Sequence, residues 1–255
     1  MAAAASARDI DAATYGYPLT NPFEATIATT PPDQRPTLPS DDEIDQADYS
    51  LNLRPEREFT LPDNFWAVKK LKYRLARQDH EAPLIFIIAG TGAPYSSSIN
   101  EYLKKLYYQA GFHVVQLSSP TSYDFMSAAS RFATPGVSQE DAEDLYRVMQ
   151  AVRAQHPRLP TSEYYLTGYS LGALDAAFVS RLDETRRSFN FKRVLLLNPP
   201  VNLYTSINNL DKLVQTQVKG IDRSTTFYEL MLEKLTRYFQ EKGFIDLNLS
   251  LIHIS

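Results

Sequence analysis

The strongest hydrophobic signal is the uninterrupted apolar run Leu84-Ile85-Phe86-Ile87-Ile88-Ala89, which stops at Gly90-Thr91-Gly92. A short run with no polar alternation fits a strand covered on both faces, as in a parallel sheet. Ile99, Tyr102, Leu103, Leu106 and Ala110 then fall on one helical stripe that ends at Gly111, a residue suited to a helix C-terminus. Phe112 to Leu117 predicts the next strand. A polar stretch from Ser118 to Val137 leads to a second helix. Ser138 and Asp141 suggest a capping-box-like start for it, and Leu145, Val148, Met149 and Val152 form its apolar stripe. Glu163 to Thr167 predicts a short strand that runs straight into Gly168-Tyr169-Ser170-Leu171-Gly172. A helix marked by Leu171, Leu174, Phe178 and Leu182 follows, and then the strand Val194-Leu195-Leu196-Leu197.

Strand and helix alternate, so the pattern predicts an α/β fold with a doubly wound, mostly parallel sheet. Its core spans residues 56–204, with a strand or hairpin expected around Phe59 to Ala76. Residues 8 to about 55 are rich in Pro, Thr and Asp without periodicity, and residues 1–55 read as an arm. The Asp41-Asp42-Glu43 cluster in it reads as a solvated acidic patch. Residues 205–244 break the rhythm with two helical patterns in succession, including Phe227, Leu230, Met231, Leu235 and Tyr238. In this position they predict a helical cap over the sheet's active edge.

Composition narrows the chemistry. The 255 residues carry a net charge of −4 and no basic cluster, which argues against nucleic acid as a partner. No apolar run reaches the ~18 residues needed to cross a bilayer. Cysteine is absent, which excludes disulfides, thiol catalysis and thiolate metal sites. His80, His113, His156 and His253 show no metal-ligand spacing, so neither a metal nor a cofactor is expected.

The Gly168–Gly172 pentapeptide carries the chemistry. A serine hydroxyl needs a base to remove its proton and a geometry that exposes its oxygen. G-x-S-x-G supplies the geometry, because small residues two before and two after Ser170 let a strand and a helix meet in a sharp turn. Ala173, Ala176 and Ala177 keep the following helix slim. Ser170 is the candidate nucleophile. The candidate oxyanion donors are the backbone N–H of Leu171 and, from the loop after the first strong strand, that of Thr91 or Gly92. The alternative for the pentapeptide is a tight turn whose serine only caps a helix.

With these residues, the stretch from about Ala82 to Leu203 resembles the α/β-hydrolase superfamily. More narrowly, Tyr15-Gly16-Tyr17-Pro18-Leu19-Thr20-Asn21-Pro22-Phe23-Glu24 and Leu196-Leu197-Asn198-Pro199-Pro200-Val201-Asn202 resemble a bacterial group of signal-bearing, hydrolase-like proteins of unsettled substrate. The resemblance implies a triad in the order Ser, Asp or Glu, His, with the last two late in the chain. His80, His113 and His156 fall before strands or at their starts, the wrong edge for Ser170. His253 alone lies downstream. Asp124, Asp175, Asp211, Asp222 and Asp246 are carboxylates without a clear claim to the acid's role, and Asn198 cannot take the charge. The expectation is a sheet incomplete at its C-terminal edge, with acid and base beyond residue 248.

Both ends bear on this expectation. Met1 to Ala7, ending Ala5-Ser6-Ala7, resembles the tail of a secretory signal peptide, which implies a periplasmic or envelope location; an ordinary Ala-rich, cytoplasmic start is the alternative. Leu249 to Ser255 resembles one reading frame of a transposon-end adapter, hence a non-native tail. A short native strand through Leu249, Leu251, Ile252 and Ile254 is the other reading. The functional expectation is a serine hydrolase on carboxylic esters, small-molecule or acyl-lipid, inactive in a truncated form. A non-catalytic binding or scaffold protein of the cell envelope is the competing one. The apolar cap stripe suits an acyl chain or is simply the cap's packing face.

Overall fold

The computed structural model describes residues 35–53 and 70–217, with side chains described as far as Lys212. The chain divides into a unit of residues 38–214 and a second made of residues 1–37 and 215–255. Residues 35–37 and 215–217 are all that is described of the second. The signal-like start, Phe227 to Tyr238 of the expected cap, Asp222, Asp246, His253 and the Leu249–Ser255 tail lie outside the described residues.

The elements run β1 Gln46–Leu51, β2 Leu71–Ala76, β3 Ala82–Ile88, α1 Ser98–Gln109, β4 His113–Leu117, α2 Tyr123–Ala128, α3 Ser138–Gln155, β5 Thr161–Tyr169, α4 Leu171–Arg186, β6 Arg193–Leu197 and α5 Leu203–Gln217. Six strands form one sheet in the order β1-β2-β4-β3-β5-β6. Only β2 runs against the rest, pairing antiparallel with both β1 and β4. The pairs β3–β4, β3–β5 and β5–β6 are parallel.

Period-two alternation explains the layering. Leu84, Phe86 and Ile88 of β3 join a core with Leu145, Val148 and Met149 of α3 and Ala176 and Val179 of α4. Ile85 and Ile87 point the other way and pack with Leu103 of α1. Both faces of β3 are therefore covered, as the unbroken apolar run requires, and burying each such side chain contributes roughly 1.5–3 kcal/mol.

Several details differ from the sequence expectations. Gln46–Leu51, within the segment read as an arm, is a sheet strand, and the Asp41–Glu43 turn ahead of it engages Lys104 and Lys105 through Asp41. Ile99 and Tyr102 are exposed, and α1 instead buries Asn100, Leu103 and Lys104. The Lys104 ammonium is held at 2.6 Å by both Gln46 and Glu101, which satisfies its charge inside the fold. Helix α3 is capped by Val137 rather than Ser138, and the Asp141 carboxylate accepts the Gly136 N–H at 2.8 Å. Gly111 has φ +88 after the α1 C-cap, as expected of a left-handed helix end.

Candidate active site

Strand order places the site. The chain leaves β3 through α1 on one face of the sheet and leaves β5 through α4 on the other. Loops that diverge from neighbouring parallel strands open a crevice at the strands' carboxyl ends. Gly90 and Ser170 meet there: a Cβ built on Gly90 would lie 3.3 Å from Ser170 Cβ.

Ser170 sits at the apex between β5 and α4 with φ 54 and ψ −125, a conformation that costs an L-residue about 1–3 kcal/mol. It is exposed. Its N–H donates to Leu197 O at 2.9 Å, and its carbonyl accepts the Ala173 N–H at 3.0 Å, so backbone bonds hold the turn from both sides. The flanking glycines are sterically obligatory. A Cβ at Gly168 would lie 2.1 Å from Gly172 O, and one at Gly172 would lie 2.3 Å from Ile88 O and 2.4 Å from Ala89 O. The strain at Ser170 is thus fixed by close backbone contacts with β3, β6 and α4.

The Gly90 loop is anchored as firmly. Ala93 N–H closes a turn onto Gly90 O, and Ser119 N–H bonds Ala93 O, both at 3.0 Å. Tyr95 N–H donates to Ser118 Oγ at 2.9 Å. The Tyr169 ring packs on Gly90, and its hydroxyl lies 3.0 Å from Ser97 Oγ, which ties this loop to the residue before Ser170. Gly92 N–H donates to Thr121 Oγ1 at 2.7 Å. Among the described residues, the N–H groups of Leu171 and Thr91 have no acceptor. Of the two loop amides expected as donors, Thr91 is therefore the one left open, and Gly92 is engaged. Sequence reading could not separate them, since Thr121 comes from a different loop.

The described histidines lie elsewhere. His113 opens β4 opposite Leu84, four residues before the Ile88–Leu117 level, or about 13 Å down the strand. It is buried, lies 3.0 Å from Pro160 O through Nε2 and accepts the Gln78 N–H at Nδ1; burial holds its pKa below the usual value. His156 follows α3 and pairs with Tyr73, while exposed His80 pairs with Asp79 at 2.7 Å. Among the described residues, no side chain hydrogen-bonds Ser170 Oγ.

The carboxylates divide. Asp124 accepts the hydroxyls of Ser118 and Ser122 at 2.8 and 2.6 Å in the loop beside Gly92. Asp211 lies exposed on α5. Asn198 follows β6 with φ 50. Asp175 is the surprise: it is only 1% exposed, its Oδ2 has no hydrogen-bond partner among the described residues, and burial, with the Asp141 charge adding to it, pushes its pKa up to about 8. Buried Asp183, one face further along α4, is by contrast satisfied by Tyr146 Oη and the N–H groups of Phe189 and Phe191. No three metal-ligating side chains cluster among the described residues. A cavity of about 620 Å³ opens at the opposite edge of the sheet, lined by His156, Thr161 and Leu84, and is no part of this site.

The strand order, the single antiparallel strand and the strained serine at the β5–α4 turn give the chain an α/β-hydrolase fold. No protein-family model and no curated protein sequence matches it. Solved structures do. Est1E from Butyrivibrio proteoclasticus is similar at 16% identity over 51% of this chain and 47% of its own, with a TM-score of 0.38. A structure from a study of fungal esterases of Rhizomucor miehei gives 19% identity, 69% and 50% coverage and a TM-score of 0.43. A thermostable carboxyl esterase from Bacillus coagulans gives 16%, 72% and 55%, and 0.40. The chain spans about half the length of these proteins. No described helix is long and apolar enough to cross a membrane.

Proposed function

We propose that this chain is a serine hydrolase acting on carboxylic esters, with Gly168–Gly172 as its nucleophile elbow. One observation carries the reading. An exposed serine is held in a strained conformation by two glycines that tolerate no Cβ, at the crevice where two loops diverge. A turn used only to cap a helix has no need of that strain, and strained backbone concentrates where chemistry happens. In the reaction, a base removes the Ser170 Oγ proton and the oxygen attacks the ester carbon. The tetrahedral oxyanion is then stabilised by the N–H groups of Leu171 and Thr91. Collapse expels the alcohol, and water releases the acid from the acyl-serine. The base and its carboxylate partner would come from outside the described residues.

A fluorophosphonate probe on the full chain is expected to label Ser170, and Ser170→Ala to abolish the labelling. Ser170→Gly removes the same nucleophile but relieves the backbone strain, so its urea midpoint should rise by the equivalent of about 1 kcal/mol. No labelling of a folded chain would reject catalysis by this chain. It would favour the second reading, a binding or scaffold protein that keeps the fold. That reading is supported by the absence, among the described residues, of any hydrogen-bond partner for Ser170 Oγ.

The substrate class we favour has an apolar acyl group. The support is the exposure of Val201, Tyr204, Ile207 and Leu210 on the segment leaving β6. A periplasmic or envelope location is supported by Ala5-Ser6-Ala7. N-terminal sequencing of the mature protein should then begin at Arg8, and a cytosolic chain starting at Met1 would reject it.

A further inference from the structure

Between β3 and α1 the chain carries Thr91, whose N–H is the open oxyanion donor, and then Tyr95, whose polar atoms are all held by other segments. The Tyr95 N–H donates to Ser118 Oγ at 2.9 Å, and that hydroxyl donates to Asp124 Oδ2 at 2.8 Å. The Tyr95 hydroxyl donates to Asp48 Oδ2 on β1 at 2.9 Å. Its carbonyl accepts two side-chain amides, Asn100 Nδ2 of α1 at 3.0 Å and Gln116 Nε2 of β4 at 3.1 Å. Two donors occupy both lone pairs of that oxygen, which fixes its direction as well as its place.

The two amides hold this carbonyl at the expense of their own oxygens. Asn100 and Gln116 are completely buried, and among the described residues neither Asn100 Oδ1 nor Gln116 Oε1 has a hydrogen-bond donor. Turning either amide over would not help. Asn100 Nδ2 also faces Leu117 O at 3.3 Å, and Gln116 Nε2 also faces Glu101 Oε1 at 3.0 Å, so a flip would set oxygen against two acceptors. A buried acceptor without a donor lowers stability, and apolar side chains of similar shape would avoid that loss. Nor do the other two acceptors depend on these amides. Leu117 O already accepts the Ala89 N–H at 3.1 Å, and Glu101 Oε1 already accepts Arg74 Nη1 at 2.8 Å. What is left for the pair to serve is the Tyr95 carbonyl, and a local rule broken at the expense of stability marks a place where position matters more.

We infer that Asn100 and Gln116 are positioning residues for the oxyanion donor. The chain from Ala89 to Tyr95 is pinned at its first residue by the Ala89–Leu117 bond and at its last by the Tyr95 carbonyl. The Gly90–Ala93 turn between these two points sets where Thr91 N–H lies relative to Ser170. Misplacing a group at such a site by 1 Å slows the reaction on the order of a hundredfold. Both amides act through Tyr95, and the inference rests on the hydrolase reading.

Gln116→Met and Asn100→Leu each remove one donor and one orphaned oxygen while leaving the other amide on Tyr95 O. In the full chain, saturation kinetics of fluorophosphonate labelling at Ser170 separate probe binding from the phosphonylation step. Each variant should slow phosphonylation roughly tenfold with the half-saturating probe concentration unchanged, and its urea midpoint should equal the parent's or exceed it. Methionine adapts to irregular space, so Gln116→Met decides the matter if Asn100→Leu overpacks and unfolds. The Ala93 amide, which closes the turn onto Gly90 O, should exchange with deuterium faster in each folded variant, and the Ser170 amide at the parent's rate. Equal phosphonylation rates in parent and variants overturn the inference and leave the hydrolase reading in place. A midpoint that falls together with the rate overturns it too, because the amides would then be ordinary stabilising contacts. A folded parent that takes no label rejects the hydrolase reading itself, and the positioning role with it.

Discussion

Asp175→Asn should stabilise the protein increasingly as pH rises, with little effect near pH 4 and a large one at pH 8. The carboxyl of Asp175 is buried on α4, its Oδ2 has no partner among the described residues, and its pKa is pushed up to about 8 by burial first and the Asp141 charge second. In the unfolded chain the same group titrates near pH 3.9. A folded-state pKa above the unfolded one means that the native state binds the extra proton. The stabilisation is complete below about pH 4 and is lost as pH climbs through 8. About 4 pKa units correspond to a ceiling of roughly 5 kcal/mol, of which relaxation and water entry will remove part. The neutral amide does not titrate, so the difference between variant and parent should open to a few kcal/mol across that window. Asp141 is raised as well, by burial first, so the variant should keep a shallower slope of its own. Denaturant titrations of both proteins at pH 5, 6.5 and 8 measure this. A pH-independent difference would mean that Asp175 has a partner at neutral pH.

The second large effect is expected at Gly172. Adding one methyl group there places carbon 2.3 Å from Ile88 O and 2.4 Å from Ala89 O, both backbone atoms of the central strand and its exit. Neither can swing aside as a side chain would. Gly172→Ala should therefore cost at least about 3 kcal/mol, at the upper end for overpacking, because relief requires α4 to move off the sheet. Gly111→Ala is the control. Nothing lies within 4 Å of its built Cβ, and only its φ of +88 is unfavourable, so about 1 kcal/mol is expected. Urea midpoints compare the two. Equal losses would show that the serine turn is looser than these contacts require. If Gly172→Ala folds at all, fluorophosphonate labelling of Ser170 should fall with it.

What the sequence made legible follows from where its signals are local. The β3 run and the Gly168–Gly172 spacing each carry their own explanation, since a strand covered on both faces is apolar throughout and a sharp strand-to-helix turn needs small flanking residues. Strand–helix alternation implied a parallel sheet, but not the β3–β5 pairing and register that bring Gly90 to Ser170. Strand β1 was hidden because Gln46–Leu51 is a sheet-edge strand of mixed polarity within Pro-rich surroundings, and its partner β2 lies across a connection of some twenty residues. Helix α2 is too short to show a period. On α1 the stripe was right in part: Leu103 and Leu106 pack on the sheet, but Ile99 and Tyr102 are exposed and Lys104 is buried instead. Lys104 is buried because Gln46 of β1 and Glu101 receive its charge, and no local pattern reveals a partner 58 positions away. Asp175 was invisible for the same reason. A carboxylate on a helix looks solvated until α3 and the sheet are packed around it.

The bond from Ser170 N–H to Leu197 O has a consequence for how the site can be watched in solution. It fastens the serine to β6, whose Leu195 is 50% exposed and which is the last strand of the described sheet on that side. The Ser170 amide proton therefore exchanges with solvent only when β6 lifts from β5 or the whole domain opens. Its deuteration rate is a single-residue gauge of that strand's attachment, and anything that binds against β6 would register at the serine as slower exchange before any chemistry is measured.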